Sequence, residues 1–252
     1  MKLLTDIRLL TWRRSLQLLR NPVWLFVSLT VPLLYLALFT PLLKDLPAAP
    51  GLGGDVLDEF LPGILALLAF TSGANAGFGT LFELQAGVVE RFRVTPASRL
   101  ALLLGPLVSG MLSMFVFDLV LIVVGVLFGF HVHIAGLLVL AVLLALFYLT
   151  FAAFSTAIAL LTKEITAFAA VVNGINLPLM LLAGVLLPIS LGPGWMGVLA
   201  HFNPLYYLVE AARTLALDSF SSDTVWQAFA VLTPLCAISL TWATRVYRRA
   251  VA

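Results

Sequence analysis

Six long apolar runs separated by short polar stretches set the pattern of this chain. They cover residues 23–43, 61–81, 100–130, 134–161, 165–187 and 224–244. Each is at or above the roughly 20 residues that a helix needs to cross a bilayer core. None alternates with period two, so helices are expected in place of a membrane barrel. The pattern predicts an all-α membrane protein with six transmembrane helices, forming one domain over residues 1–252.

The polar stretches carry their own structure. Residues 3–20 place Leu9, Trp12, Leu16 and Leu19 on one helical face and Asp6, Arg13, Gln17 and Arg20 on another. Such a helix lies flat in the headgroup region, as an anchor or as a strut that a partner can push. Asn21-Pro22 then breaks it and turns the chain into the membrane. The chain accordingly divides into an interfacial helix (1–22), spans one and two (23–81), a charged loop (82–99) and spans three to five (100–187). An outer hairpin (188–223) follows, then span six with a basic tail (224–252). In the hairpin, GPGWMGVLAHFNPLYYLVEAARTLALD has apolar pieces too short to cross the membrane twice. Asn203 is placed to cap a helix with Pro204 at its first position, and Glu210 and Arg213 pair at i,i+3. Trp195, Tyr206 and Tyr207 suit a membrane interface. A re-entrant or interfacial helical hairpin that plugs the outer end is expected.

Composition agrees: 62% of residues are hydrophobic and 10% charged, against roughly 25% charged in a soluble domain. Of the 14 Lys and Arg, all but Lys44 and Arg213 fall before span one, between even and odd spans, or after span six. Asp45, Asp55, Asp58, Glu59, Glu210, Asp218 and Asp223 collect on the opposite side. Positive residues stay inside, so both termini are expected in the cytoplasm of a cell with this protein in its plasma membrane. The basic side reads as an anionic-lipid and topology signal, with no nucleic-acid partner. Cys236 stands alone, which excludes an intrachain disulfide. Five basic residues ahead of a long first run do not make a cleavable signal peptide.

Few residues carry candidate chemistry. Gly73 and Gly77 form a small-xxx-small pair beside Asn75, for helix packing inside the chain or for a pathway-lining or subunit-contact face. Asp118 is the one charge inside spans three and four, either neutral, paired, or part of a proton relay. His131 and His133 sit in the outer turn, too few for a metal site. Span five carries Asn173, Gly174, Asn176 and Pro178, then Gly184 and Pro188, a composition suited to a cavity wall. No local catalytic motif is present, and the chain itself is not expected to be an enzyme or to bind a cofactor or metal. Three readings stay open from the residues: a transporter energised by a partner, a proton-coupled transporter using Asp118, and an intramembrane enzyme.

The loop FELQAGVVERFRVTPASR at 82–99, together with AGVLLPI, GPGW and FNPLYYLVEAAR further on, resembles the type-2 ABC transporter permeases, in particular the bacterial daunorubicin and multidrug-resistance exporter group. Glu83, Gly87, Glu90, Thr95 and Pro96 match that family's coupling segment, while Leu84, Gln85, Val88 and Val89 depart from it. The resemblance implies a permease that pairs with a second permease copy and recruits two copies of a separate cytosolic ATPase, which binds ATP and Mg. A cytosolic coupling helix between spans two and three would engage the ATPase through Glu83, Gly87, Glu90, Arg91, Arg93, Thr95 and Pro96. Phe70, Asn75, Phe78, Asn173, Asn176 and Met180 would line the pathway. Asn203, Pro204, Tyr206, Glu210 and Arg213 would form an outer gate. The cargo implied is a lipophilic drug, a natural product or a lipid, with a polysaccharide or lipid-linked glycan as the alternative.

Overall fold

The computed structural model describes residues 2–44, 56–88, 99–131, 133–185, 189, 193–216 and 222–250. Among these residues the fold is all helical. Nine helices are present: α1 (Lys2–Leu19), α2 (Pro22–Lys44), α3 (Val56–Gln85), α4 (Arg99–Leu127), α5 (Ile134–Thr162), α6 (Ile165–Leu182), α7 (Gly194–Ala200), α8 (Pro204–Ala216) and α9 (Asp223–Ala250). Five of them, α3, α4, α5, α6 and α9, are long and apolar enough to cross a membrane. The predicted first span corresponds to α2, whose apolar part within the described residues is the shorter segment Phe26–Leu38.

Helix ends follow local chemistry. The Asn21-Pro22 break is where α1 gives way to α2, and Pro22 takes the first helical position, where its missing N–H costs nothing. The apolar run of span five predicts a helix to 187, but α6 stops at Leu182. Gly184 takes φ +66°, the left-handed geometry that ends a helix whatever the polarity of the next residues. At the other end of α6, Lys163 adopts φ 55° and caps α5 by donating its N–H to the Ala159 carbonyl. Only Lys163 and Glu164 therefore separate α5 from α6.

Contacts at the two ends give the chain directions. Asp58, near the start of α3, accepts from the His131 backbone N–H at 3.1 Å and lies 3.2 Å from His131 Nδ1. This ties α3 to the α4–α5 turn, the turn role expected of these histidines. No group of three His, Cys, Asp or Glu able to hold a metal occurs among the described residues. At the other end α3 meets α1. Consequently α3, α5 and α9 run one way, and α4 and α6 run back.

The centre of the bundle is the α3–α5 pair. A Cβ on Gly73 would lie 3.0 Å from the Tyr148 carbonyl, and one on Gly77 would lie 2.6 Å from the Ser155 carbonyl. Glycine at both places lets the two backbones approach, so the small-xxx-small pair serves packing within the chain. Ser155 uses that closeness: its hydroxyl donates to the Ala74 carbonyl at 2.5 Å and accepts from the Gly77 N–H at 2.9 Å. Aromatic rings close the remaining space. Phe70 packs edge-on against Phe151, with Phe147 beside them, and Phe78 packs edge-on against Phe168 of α6. Outward from this pair, α9 packs on α5, and α1 packs on α4.

Asp118 on α4 is buried, and neither carboxylate oxygen has a hydrogen-bond partner among the described residues.

Two outcomes test this packing. Gly77→Ala should lower thermal stability by about 1–3 kcal/mol through overpacking, whereas Gly174→Ala, with open space around its Cβ, should keep it or raise it by up to about 1 kcal/mol through helix propensity. Equal melting temperatures for the two variants in detergent would refute the close crossing. Asp118→Leu should raise stability by about 1–3 kcal/mol, because it removes a buried carboxyl that nothing satisfies. A loss of stability would mean that the carboxyl has a partner in the assembled protein.

Candidate functional site

Two polar clusters sit at opposite ends of α3, which spans about 45 Å at 1.5 Å per residue. The first lies where α1 crosses the end of the bundle. Thr11 donates to the Gly105 carbonyl of α4 at 3.3 Å, and the Ser15 and Ser109 hydroxyls share a hydrogen bond at 3.1 Å. A Cβ on Gly105 would strike Leu10, so this glycine lets α1 lie close on α4. That face of α1 directs Arg14 across Gly79 of α3, where it donates to Glu83 in a half-buried ion pair. The ion pair thus joins α1 to α3, next to the hydrogen bonds that join α1 to α4.

Glu83 therefore belongs to α3 itself and does not begin a separate segment. No residue before Gly87 interrupts the helix, and Leu84 and Gln85 extend it. The turn comes at Ala86 and Gly87, where Gly87 takes φ +65° and donates its N–H to the Leu84 carbonyl. Glu90, Arg91, Arg93, Thr95 and Pro96 lie outside the described residues.

The second cluster is built by α8 against the end of α6. Asn203 caps α8 as expected, its Oδ1 accepting from the Leu205 N–H at 3.0 Å, with Pro204 in the first helical position. Its Nδ2 reaches away from α8 and donates to the Leu179 carbonyl of α6 at 2.7 Å. Arg213 is 8% exposed. It donates to the carbonyls of Gly184 and Val185 at 2.7 and 3.3 Å and pairs with Glu210 at 3.2 Å. The last carbonyls of a helix have no partner of their own, so the Asn203 amide satisfies one of them in α6, at Leu179, and the Arg213 guanidinium holds the backbone that follows the helix at Gly184 and Val185. The same strand of backbone presses on α3, since a Cβ on Gly63 would lie 2.7 Å from the Val185 carbonyl. Tyr206 and Tyr207 stack by the α7–α8 corner with His201, and the Tyr207 hydroxyl donates to the His201 carbonyl. Burial, with Glu210 one turn on, raises Tyr206 above the usual tyrosine range, so its hydroxyl keeps its proton through neutral pH.

Between the clusters, the expected pathway residues take different places. Phe70 is 1% exposed and belongs to the α3–α5 core. Phe78 is half-buried against Phe168. Asn75 is exposed and donates to the Thr71 carbonyl of its own helix at 2.8 Å. Asn173 is exposed, and Asn176 and Met180 are half-buried. α6 is the least enclosed of the five long apolar helices, and Pro178 removes the donor that would otherwise satisfy the Gly174 carbonyl. Sequence reasoning missed Arg14 and Ser155. Only Arg14 left a signal, a basic residue on the same side of α1 as Thr11 and Ser15.

This arrangement, long apolar helices with polar joints confined largely to their ends, defines a multi-pass membrane protein. The ABC-2 type transporter family profile matches residues 5–217, and the chain belongs to that family of membrane permeases. It is 30% identical over 224 residues to the ycf38 protein of Cyanophora paradoxa, whose name assigns it as a transport permease, covering 86% of this chain and 77% of that one. A ycf38 protein of Pyropia yezoensis is 30% identical over 222 residues, covering 84% and 74%. The daunorubicin resistance ABC transporter permease protein DrrB1 of Streptomyces coeruleorubidus is 24% identical over 239 residues, covering 94% and 84%.

Replacing Arg213 by Gln should destabilise the protein by about 2–4 kcal/mol, since it strands two carbonyls and a carboxylate that are partly or wholly buried. Asn203→Ala should cost about 1–2 kcal/mol through loss of the cap and the α6 contact. Thermal unfolding in detergent checks both. Wild-type stability for Arg213→Gln would show that α8 does not hold α6.

Proposed function

We propose that this chain is the membrane-spanning subunit of an ATP-driven exporter, working with a second permease copy and two copies of a separate cytosolic ATPase. The observation that carries this reading is the Arg14–Glu83 ion pair directly before the Gly87 turn. It joins the helix beside the membrane surface to the helix that leads into the expected ATPase-docking loop. A push on that loop then moves α1 and α3 together. α3 carries the displacement without a break to Gly63, beneath the Val185 carbonyl at the end of α6. Such coupling works only where the two end states make different contacts.

In this reading α2 crosses the membrane as span one, which makes six spans, and the end bearing α1 faces the cytosol, a placement supported by the distribution of Lys and Arg. Asn75, Phe78, Asn173, Asn176 and Met180 line a pathway completed by the second copy. Phe70, inside the α3–α5 core, supports that wall from behind. Asn203, Pro204, Tyr206, Glu210 and Arg213 form the outer gate, which opens when α8 releases α6. Glu83 and Gly87 enter the coupling segment, and Glu90, Arg91, Arg93, Thr95 and Pro96 complete it. ATP and Mg are bound by the partner. The cargo is a lipophilic drug, natural product or lipid, a reading supported by the daunorubicin resistance relative.

Affinity purification of the tagged chain from native membranes should bring down an ATPase subunit in equal amount. Scrambling residues 83–93 should abolish that capture. A folded preparation that yields no ATPase removes the proposal. Gly87→Pro imposes a φ that this turn does not use. It should lower export by about tenfold or more while ATP hydrolysis and membrane insertion persist, the size of a typical coupling free energy. Normal export by that variant means that the turn does not transmit motion.

A further inference from the structure

The face of α1 turned away from α4 carries an exposed apolar stripe. Leu9 and Trp12 are 62% and 65% exposed there. At 100° per residue, Leu16 shares their sector. Arg8 borders this stripe on one side, and Arg13 and Arg20 border it on the other; all three are exposed. Thr11, Arg14 and Ser15 take the opposite side, engaged with α3 and α4. An apolar stripe with arginine on both flanks is complementary to acyl chains beneath anionic headgroups. The stripe is also continuous with the membrane-facing surface, because the chain passes through the Asn21-Pro22 break directly into α2. There Val23, Phe26, Val27, Val31 and Leu38 are exposed apolar residues.

We infer that α1 is a binding surface for anionic phospholipid, and that lipid charge sets how firmly it is seated. Arg8, Arg13 and Arg20 attract the headgroups, and Leu9, Trp12 and Leu16 enter the acyl boundary. Near a membrane surface each basic residue contributes about 1 kcal/mol, roughly a fivefold gain in local binding. Through the Thr11, Ser15 and Arg14 contacts the seating of α1 reaches α4 and the end of α3, so lipid charge regulates the segment proposed to meet the ATPase. The inference rests on the multi-pass reading but needs no ATPase, so the two fail separately.

The test uses the full chain reconstituted in vesicles of mixed phosphatidylglycerol and phosphatidylcholine. Bromine, a short-range quencher, is placed on one lipid or on the other at constant composition. The Trp12 signal is the difference between the chain and its Trp12→Phe variant. Brominated phosphatidylglycerol should quench Trp12 about fivefold more strongly per mole than brominated phosphatidylcholine. The triple variant R8Q/R13Q/R20Q should bring that ratio to about one, while quenching by brominated phosphatidylcholine persists and shows that the variant is folded and seated. Equal quenching by both lipids in the unaltered chain overturns the inference in favour of apolar anchoring alone. Absence of Trp12 quenching by either lipid overturns it too, and gives the face to a protein partner or to solvent.

Discussion

Close approach of α3 and α5 is the constraint on which the rest of the bundle depends. Without glycine at 73 and 77 the two backbones would separate, because an added Cβ would meet carbonyls at 3.0 and 2.6 Å. In lipid, helix association gains little from the hydrophobic effect and relies on van der Waals fit and interhelical hydrogen bonds. Ser155 supplies such bonds by engaging the α3 backbone at Ala74 and Gly77. Because the middle of α3 is fixed in this way, its two ends keep a constant relation to each other. The Arg14–Glu83 pair and the contact between Gly63 and the Val185 carbonyl are then the ends of a single rigid element.

Polar chemistry in this protein is mostly a matter of finishing helices. Asn203 and Arg213 do for the end of α6 and the turn after it what water would do for a soluble helix, supplying donors to the Leu179, Gly184 and Val185 carbonyls. Asp58 supplies the converse, an acceptor for the His131 N–H in the α4–α5 turn. Asp118 stands apart, buried within a span and unsatisfied among the described residues.

The sequence made the long helices legible because length and polarity alone determine them. Each expected span corresponds to a helix, and Asn21-Pro22 and Asn203-Pro204 marked boundaries through local backbone chemistry. The expected end of span five failed because an apolar run continued past Gly184, where conformation and not polarity ends the helix. The charge over 82–99 predicts a loop from Phe82 onward, yet α3 continues through Glu83 to Gln85 and nothing ahead of Gly87 stops it. Ser155 was invisible for a different reason. It matters through a partner on another helix, and no periodicity within one helix records which neighbour it will meet. Glu210, Arg213 and Asn203 were found by their local roles, but their bonds to α6 could be read only from the fold.

The two-residue connection at Lys163 and Glu164 has a mechanical meaning. It is too short to let α6 slide along α5, so any movement of α6 relative to α5 is that of a boom pivoting at that corner. An 18-residue helix is about 27 Å long, and a swing of about 10° carries its far end roughly 5 Å. Near the pivot the same swing barely disturbs Phe168 in its seat beside Phe78. The largest displacement thus falls at the end held by Asn203 and Arg213, where a few hydrogen bonds act at the full length of the lever.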